Sequence, residues 1–346
     1  MAKKLRIAEI APLWIPVPPR TYGGIELMLA ELTDELVRRG HEITLFASGE
    51  SLTTAKLVPV TDKAIWLERN IRNPHASIIR LTKMVFDRLY DFDLIHNHFN
   101  FFPFPISLRL DCPSFLTTVH RPVDKHYAET MKAYSKIKFC AISENHKQSM
   151  VEQNVPVAGV IPNGIDISRY EYNENPDDYV LYLGRLNKEK GILTALEVAK
   201  SAGVKLVVAG SVVGGEETLF FLQEVQPHLN EEGVKFVGQA AFAEKIDLLK
   251  RAKALLFPIE RREPFGLVMI EAMACGTPVI AFPNGSVPEI VENGKNGFIV
   301  NTKEEMIRAI SQLASLDRRA CRKAVEDRFT VRHMVDRYEE LFLKII

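Results

Sequence analysis

Cysteine is scarce in this chain, which has four cysteines among 346 residues. They are scattered at positions 112, 140, 275 and 321, and no two of them have the Cys-x-x-Cys spacing of a zinc site. Neither a structural zinc site nor a disulfide framework is therefore indicated, and a reducing cytoplasm fits this pattern best. We interpret Cys140 and Cys275 as small core residues rather than as nucleophiles.

The sequence also lacks an excess of charge, because 44 lysines and arginines balance 44 aspartates and glutamates. A nucleic-acid groove or a strongly anionic partner would favour a basic excess, so neither is predicted. With 47% hydrophobic and 25% charged residues, the composition is that of a soluble globular protein.

Long hydrophobic runs are missing as well. Prolines at positions 12, 16, 18 and 19 break the first apolar stretch, so we expect neither a signal peptide nor a membrane span. The mildly basic stretch from Lys63 to Arg88 contains Trp66, Ile79 and Phe86 and could touch a membrane surface. Such stretches are more often solvated helices packed on a core, so membrane attachment is the less favoured interpretation. A cytoplasmic location is predicted.

What the sequence does contain is an alternation of short β-branched runs and amphipathic helical patterns, which is typical of parallel sheets with crossover helices. Strands are predicted at residues 5–11, 42–47, 93–97, 115–120, 137–142, 157–161, 179–183, 205–209, 235–237, 254–257, 278–281 and 297–300. The length favours two domains. A turn at 162–166 and a polar stretch at 172–178 place them at residues 1–165 and 166–330, with a C-terminal helix, 331–346, packing back on the first.

The predicted fold class is therefore α/β, with two doubly wound parallel-sheet (Rossmann-like) domains facing across a cleft. Open parallel sheets bind ligands outside the carboxyl ends of their strands. Side chains and glycine turns that follow a strand are consequently the candidate site residues.

The segment from Glu263 to Glu271 is the most informative of these, because it sets one carboxylate before an apolar helix and one inside it. An unpaired buried carboxylate costs several kcal/mol, so Glu271 needs hydrogen-bond donors such as sugar or ribose hydroxyls. Gly266 lets a ligand approach the backbone, and the N–H groups of the first turn attract oxygen atoms. The alternative is that Glu263 pairs with Arg261 or Arg262 on a surface loop, while Glu271 caps a buried donor.

A second segment, Gly184–Gly191, follows a predicted strand and opens a helix in the second domain. Arg185 can grip a phosphate with its planar guanidinium and Lys190 adds a point charge, so together they could neutralise a diphosphate without a metal. The alternative is a solvated loop whose lysines contact Glu189.

In the first domain, a glycine turn at Gly23 and Gly24 lies between the first strand and the first helix and could cradle a phosphate. The Gly-x-Gly-x-x-Gly pattern is absent there, which weakens a nicotinamide-binding interpretation. A plain tight turn is the alternative.

Histidines end two predicted strands of the same domain. His120 ends one of them, where it can donate to a sugar hydroxyl or to another acceptor. His96 and His98 lie on one face with no third ligand evident, so we interpret them as satisfied core histidines and predict no metal. Asp91 and Asp93 have the spacing of a manganese-binding pair, but they merely join a helix to a strand.

Taken together and in this order, the segments resemble the retaining glycosyltransferases of family 4. Each piece alone is weak, but the ordered set spans almost the whole chain and is specific. It comprises the glycine turn at 23–24, His120, Pro-Asn-Gly-Ile-Asp at 162–166, Gly-Arg-Leu at 184–186, Lys-Gly at 190–191, Glu263 to Val279, Pro-Glu-Ile at 288–290 and Asn-Gly-Lys-Asn-Gly-Phe at 293–298. The resemblance implies a GT-B architecture.

The resemblance further implies that the second domain holds a nucleotide-sugar donor. Arg185 and Lys190 would hold its diphosphate, Glu271 its ribose hydroxyls and Glu263 its sugar. The backbone groups that would also hold the sugar belong to Phe265, Gly266 and Leu267. The segment 236–238 would line the base pocket. One departure from the family is the glycine-rich run at 210–215, which replaces a short glycine-proline turn.

In the first domain, the resemblance implies that Gly24, in its turn with Gly23, approaches the diphosphate and that His120 contacts the sugar near the reacting carbon. The residues to which it assigns catalysis are His120, Glu263, Arg185 and Lys190. The implied reaction is transfer of a hexose from a UDP-sugar or GDP-sugar to a hydroxyl of a small molecule or glycan.

The resemblance implies a front-face mechanism, in which a leaving phosphate oxygen takes the proton of the acceptor. No cofactor or metal is implied, because the nucleotide sugar is a substrate. Two alternatives are a retaining glycoside phosphorylase of the same fold and a catalytically silent nucleotide-sugar-binding subunit.

Overall fold

The computed structural model describes residues 3–68, 72–109 and 111–346. Its contacts divide the chain into two compact units. The first comprises the residues up to Gly164 together with Val331–Ile346, and the second comprises Ile165–Thr330. The sequence placed this division after residue 165.

The first unit is built on a parallel sheet. Its strands are β1 (Arg6–Ile10), β2 (Glu42–Ser48), β3 (Lys56–Thr61), β4 (Leu94–Asn97), β5 (Ser114–Thr118), β6 (Ile137–Ala141) and β7 (Gly159–Val160). Its helices include α1 (Gly24–Arg38), α2 (Pro74–Phe86), α3 (Lys125–Ala133) and α4 (Glu144–Glu152). The strand order is β3-β2-β1-β4-β5-β6-β7 with every pair parallel, so the chain reverses its direction of travel between β1 and β4. Such a switch point is where doubly wound sheets bind ligands.

The second unit repeats this plan. Its strands are β8 (Val180–Arg185), β9 (Leu206–Ser211), β10 (Val234–Gly238), β11 (Ala254–Phe257), β12 (Val279–Ala281) and β13 (Gly297–Ile299). Its helices are α5 (Ile192–Ala202), α6 (Gly215–Phe220), α7 (Phe242–Arg251), α8 (Leu267–Ala274), α9 (Val287–Ile290), α10 (Lys303–Ser311) and α11 (Arg318–Arg328). The order β10-β9-β8-β11-β12-β13, again all parallel, places the switch point between β8 and β11. The predicted α/β class with two doubly wound parallel sheets is confirmed.

The last helix, α12 (Val331–Ile345), belongs to the first unit. Its Tyr338 hydroxyl lies 3.0 Å from Thr118 Oγ1, at the end of β5. Glu339 accepts from Arg39 Nη1 at 2.5 Å and lies 2.8 Å from His41 Nε2. These contacts fix α12 against β5, which ends near His120, and against the C-terminal end of α1.

Twelve of the strands overlap the predicted ones, and β3 was missed. Pro59 interrupts the apolar alternation of β3, and proline removes a donor from a sheet. Because β3 is an edge strand, paired only with β2, the missing N–H is tolerated.

The cores are apolar, and the cysteines belong to them as expected. Cys140 and Cys275 are fully buried, and all four cysteines are free thiols. Helix α2 buries Ile78 and Leu81 but leaves Ile79 70% exposed. Residues 69–71 of the stretch considered for membrane attachment lie outside the described residues. Within the residues that are described, no helix combines the length and the apolar character needed to cross a bilayer.

Candidate functional site

Arg185 is the last residue of β8, at the switch point of the second sheet. Its Nη1 donates to Glu217 Oε1 at 2.9 Å, and Asn187 Nδ2 donates to the same oxygen at 2.7 Å. The other oxygen of Glu217 accepts from the backbone N–H of Val213 at 3.2 Å. The guanidinium is therefore held at the sheet edge by a carboxylate in the first turn of α6, which the sequence analysis missed.

Lys190 lies in the turn that leads from β8 into α5. Asn187 caps this turn by accepting from the Lys190 backbone N–H at 3.0 Å. Gly191 follows with φ +73°, and a Cβ there would lie 2.0 Å from the carbonyl oxygen of Pro258, so only glycine fits. The Lys190 ammonium donates to Glu263 Oε2 at 2.5 Å. A cation after β8 thus meets a carboxylate after β11, the adjacent strand.

The loop that carries Glu263 is held by the adjacent residues Gly285 and Ser286. Gly285 has φ +70°, and a Cβ on it would lie 2.2 Å from both the N and the O of Glu263. Ser286 donates from its backbone to Glu263 O at 3.0 Å and from its hydroxyl to Phe265 O at 2.5 Å. Gly266 then adopts φ +82° as the N-cap of α8, which makes Leu267 the first helical residue. The loop is thereby held at the carboxyl edge of β11.

One alternative pairing proposed for this region, that of Glu263 with Arg261, is not observed. Arg261, which could have paired with Glu263, forms an ion pair with Glu189 instead. Glu189 was itself the expected partner of the lysines in the Gly184–Gly191 segment. The Lys190 ammonium contacts Glu263, so this carboxylate and this cation form one unit.

Glu271 is 4% exposed and lies within α8. Its Oε1 accepts from the Tyr170 hydroxyl at 3.0 Å and from the Lys245 ammonium. The predicted need for hydrogen-bond donors is therefore met within the chain, as in the alternative interpretation of a capped buried donor. Both bonds go to Oε1 among the residues described, so Oε2 keeps its capacity to accept from a ligand. The sequence analysis missed both donors.

The glycine turn of the first unit is tight. Gly23 has φ +148° as the N-cap of α1, and a Cβ there would lie 2.4 Å from Ile15 Cδ1. Gly24 is the first helical residue. Glu26, in the first turn, is buried, and burial raises its pKa to about 8. A carboxyl group beside the expected phosphate cradle is therefore largely uncharged at neutral pH.

The histidines belong to one buried network centred on Glu9 of β1. Glu9 Oε1 lies 3.1 Å from His96 Nδ1, and Glu9 Oε2 lies 3.0 Å from His98 Nε2. His98 Nδ1 lies 2.9 Å from His120 Nε2. The statement that no third candidate ligand lies near His96 and His98 is wrong, because parallel pairing sets Glu9 opposite His96. The signal that could have revealed it was a charged residue, Glu9, inside the otherwise apolar run at residues 7–11.

Burial controls the protonation of this network. It lowers the pKa values of His96, His98 and His120 to about 3, so their rings are neutral at physiological pH. Burial also raises the pKa of Glu9. The contacts between Glu9 and the two histidines are therefore hydrogen bonds of neutral imidazoles rather than ion pairs.

Two family profiles match the chain in succession. The profile described as Glycosyltransferase Family 4 matches residues 22–169, and the profile described as Glycosyl transferases group 1 matches residues 165–328. The glycogen synthase of Mycobacterium tuberculosis is 26% identical over 332 residues, covering 81% of this chain and 79% of its own. The O-antigen chain mannosyltransferase C of Escherichia coli is 24% identical over 368 residues, covering 95% and 96%.

Solved structures share the fold. A glycosyltransferase involved in avilamycin A biosynthesis superposes with a TM-score of 0.74 at 24% identity, covering 98% of this chain and 97% of its own. The sucrose-phosphate synthase from Thermosynechococcus elongatus has a TM-score of 0.81 at 19% identity, covering 99% of both chains. Fold and profiles together define a glycosyltransferase with the GT-B architecture. Within that class, the chain belongs to glycosyltransferase family 4.

Proposed function

We propose that this protein transfers a hexose from a nucleoside-diphosphate sugar to a hydroxyl acceptor with retention of anomeric configuration. The observation that carries the proposal is the pairing of Lys190 with Glu263 at the switch point of the second sheet, where Arg185 also ends its strand. Cations there suit a diphosphate, and carboxylates suit sugar hydroxyls.

The diphosphate would bind without breaking the existing pairs. Arg185 has five N–H donors and Lys190 has three, so each can keep its carboxylate and still donate to a phosphate oxygen. Glu217 and Glu263 hold the two cations in place, so little side-chain freedom is lost when the donor arrives.

The rest of the donor would find groups on neighbouring elements. The N–H groups of Leu267 and Val268 at the start of α8 and the carboxylate of Glu263 would bind the sugar. Glu271 Oε2 would accept from the ribose. Phe236, on β10 and 39% exposed, offers an aromatic face to the base. His120 and the turn at Gly23 and Gly24 are the proposed contributions of the first unit.

The chemistry proposed is a front-face displacement. The acceptor hydroxyl attacks the anomeric carbon from the side on which the diphosphate departs, and a phosphate oxygen takes its proton. Arg185 and Lys190 would stabilise the negative charge that develops on the leaving diphosphate, which is an electrostatic role. We predict that no metal is required, because these two cations supply the neutralisation.

Replacement of Arg185 tests this proposal. Thermal stabilisation by uridine, guanosine and adenosine diphosphate sugars would first identify the donor. With that donor at saturation, Arg185→Ala should lower turnover about 10²-fold to 10³-fold, the usual effect of losing one such group. Arg251→Ala is the matched control, since Arg251 forms an exposed ion pair with Asp177 in the same unit.

Unchanged turnover in Arg185→Ala would refute the assignment of Arg185 to the donor diphosphate. Inversion at the anomeric carbon, detected in the proton NMR spectrum of the product, would refute the retaining mechanism. Cleavage that depends on inorganic phosphate would favour the phosphorylase alternative. If the protein binds the donor but neither transfers its sugar nor hydrolyses it, the catalytically silent subunit would be favoured.

A further inference from the structure

A continuous hydrogen-bonded path connects Glu9 to His120 through His98. The carboxylate oxygen of Glu9 lies 3.0 Å from His98 Nε2, and His98 Nδ1 lies 2.9 Å from His120 Nε2. Glu9 and His98 are buried, whereas His120 is partly exposed. The rings of His98 and His120 are nearly stacked, with centroids 5.2 Å apart and planes at 27°. His120 is therefore the point at which this buried path reaches the surface of the unit.

The path has one consistent arrangement of protons when both oxygens of Glu9 accept from the ring nitrogens that face them, His96 Nδ1 and His98 Nε2. A carboxylate only accepts, so His98 must carry its proton on Nε2 and donate to Glu9. His98 Nδ1 is then an acceptor, and the facing nitrogen of His120, Nε2, must carry the proton. A neutral imidazole has one N–H, so His120 Nδ1 is left with a lone pair.

We propose that Glu9 and His98 are positioning residues that hold His120 in its Nε2–H tautomer, so that His120 Nδ1 accepts a hydrogen bond from a hydroxyl of the donor sugar. This inference rests on the proposed function, in which His120 contacts that sugar. It adds a direction to the contact: the sugar hydroxyl donates and the histidine accepts. A buried carboxylate that orients a histidine through its far nitrogen is a recurring way to fix a tautomer.

A second branch of the same network supplies a matched control. Glu9 Oε1 lies 3.1 Å from His96 Nδ1, and His96 Nε2 lies 2.8 Å from Thr118 Oγ1, which in turn contacts the Tyr338 hydroxyl. His96 is as buried as His98 and uses the same carboxylate, and its Nδ1 also lies 3.3 Å from His98 Nε2. Its other nitrogen, Nε2, faces Thr118 and so leads to α12 rather than to His120.

The direct test reads the ring protons in the full-length protein labelled with ¹⁵N-histidine. Two-bond nitrogen–proton correlation spectra should show His98 and His120 both as neutral Nε2–H tautomers at neutral pH. The reversed pattern, with His98 protonated on Nδ1 and His120 on Nδ1, would overturn the proposal. Because this readout needs no substrate, it can fail while the proposed function stands, and the reverse also holds.

Metal content must be measured on the same sample. A metal bound by Glu9, His96 Nδ1 and His98 Nε2 would force the His98 proton onto Nδ1 and so reverse the path. One equivalent of zinc with the reversed pattern would therefore overturn the proposal in favour of a metal centre. Absence of stoichiometric metal with the expected tautomers supports it.

Two variants connect the path to activity. His98→Gln can still donate to Glu9 but cannot bridge to His120, so the His120 signal should shift to a mixture of tautomers and kcat/KM should fall about tenfold, as expected for one lost hydrogen bond. His96→Gln should keep the His120 tautomer and most of the activity. Equal losses in the two variants, with His120 unchanged in both spectra, would show that the network only stabilises the fold.

Discussion

Glu26 illustrates, for a single residue, how burial changes the chemistry of a carboxyl group. It is 5% exposed in the first turn of α1, and burial raises its pKa from 4.5 to about 8. Between these two values, the folded chain keeps a proton that the unfolded chain has lost. The free energy of unfolding therefore decreases as the pH rises from 4.5 to about 8. Above that range, Glu26 is ionised in both states and causes no further change.

Glu26→Gln should remove this dependence, because the amide stays neutral. We expect wild type and Glu26→Gln to have similar free energies of unfolding at about pH 5. The wild type should become progressively less stable than the variant as the pH rises toward about 8. Urea unfolding over that range, with the exposed Glu216→Gln as control, measures the difference. A difference between wild type and Glu26→Gln that does not change with pH would contradict the assignment.

The candidate site residues that the sequence could indicate were those that stand out by their place in the chain. Arg185 and Lys190 follow a strand and precede a helix, and that local pattern indicates an anion site. Their partners could not be predicted in this way. Arg185 meets Glu217 across 32 positions of sequence, and Glu271 meets Tyr170 across 101. Such pairs arise from strand order and helix packing, which one sequence does not encode locally.

Among the secondary-structure elements, the loop from β11 to α8 depends on a neighbouring turn. Gly285 precedes α9 with φ +70°, and its missing side chain is what lets the backbone of Glu263 approach. Gly294 has nearly the same backbone, with φ +77°, but no atom lies within 4 Å of a Cβ placed there. Substitution at Gly294 therefore tests backbone strain alone, whereas substitution at Gly285 tests backbone strain together with a steric clash.

Gly285→Ala should therefore cost more than Gly294→Ala. Both variants bear the strain of a positive φ, but only the first drives a methyl group into the N and O of Glu263, which typically adds about 1–3 kcal/mol of destabilisation. Because Glu263 would move, transfer activity should fall in Gly285→Ala and persist in Gly294→Ala. Thermal unfolding and initial rates measure both effects. Equal melting temperatures and rates in the two variants would mean that the close approach of Gly285 does not position Glu263.

The observed end of β8 places Arg185 in a strand. The sequence placed it in a loop, but β8 extends to Arg185, which pairs with Ser211 of β9. Its backbone is thus fixed by the sheet. The strand ran longer than predicted because glycine at 184 and 210 allows the two backbones to approach, with a Cβ on Gly210 lying 2.0 Å from Gly184 O. A periodicity argument counts glycine as a strand breaker and stops too early.

In the whole molecule, positive and negative charges balance, so the proposed binding of a diphosphate would depend on local charges. The formal net charge is zero, so no overall field draws a diphosphate to the protein. Each sheet instead places candidate site residues at its own switch point. Glu9 lies in β1 and His98 follows β4, whereas Arg185 ends β8 and Lys190 follows it. The α/β class and this edge rule were predictable from the alternating pattern. The Glu9 network was not, because it depends on the pairing of β1 with β4.

Titration calorimetry with uridine, guanosine and adenosine diphosphates measures whether the protein binds a diphosphate through Lys190. We expect wild type to bind at least one of them and Lys190→Met to bind it about tenfold or more weakly, since a hydrogen bond to a charged group is lost. Lys253→Met, which removes an exposed lysine paired with Asp178 in the same unit, should leave the affinity unchanged. Equal affinities of wild type and Lys190→Met for the preferred nucleoside diphosphate would contradict the proposal that Lys190 binds the donor diphosphate.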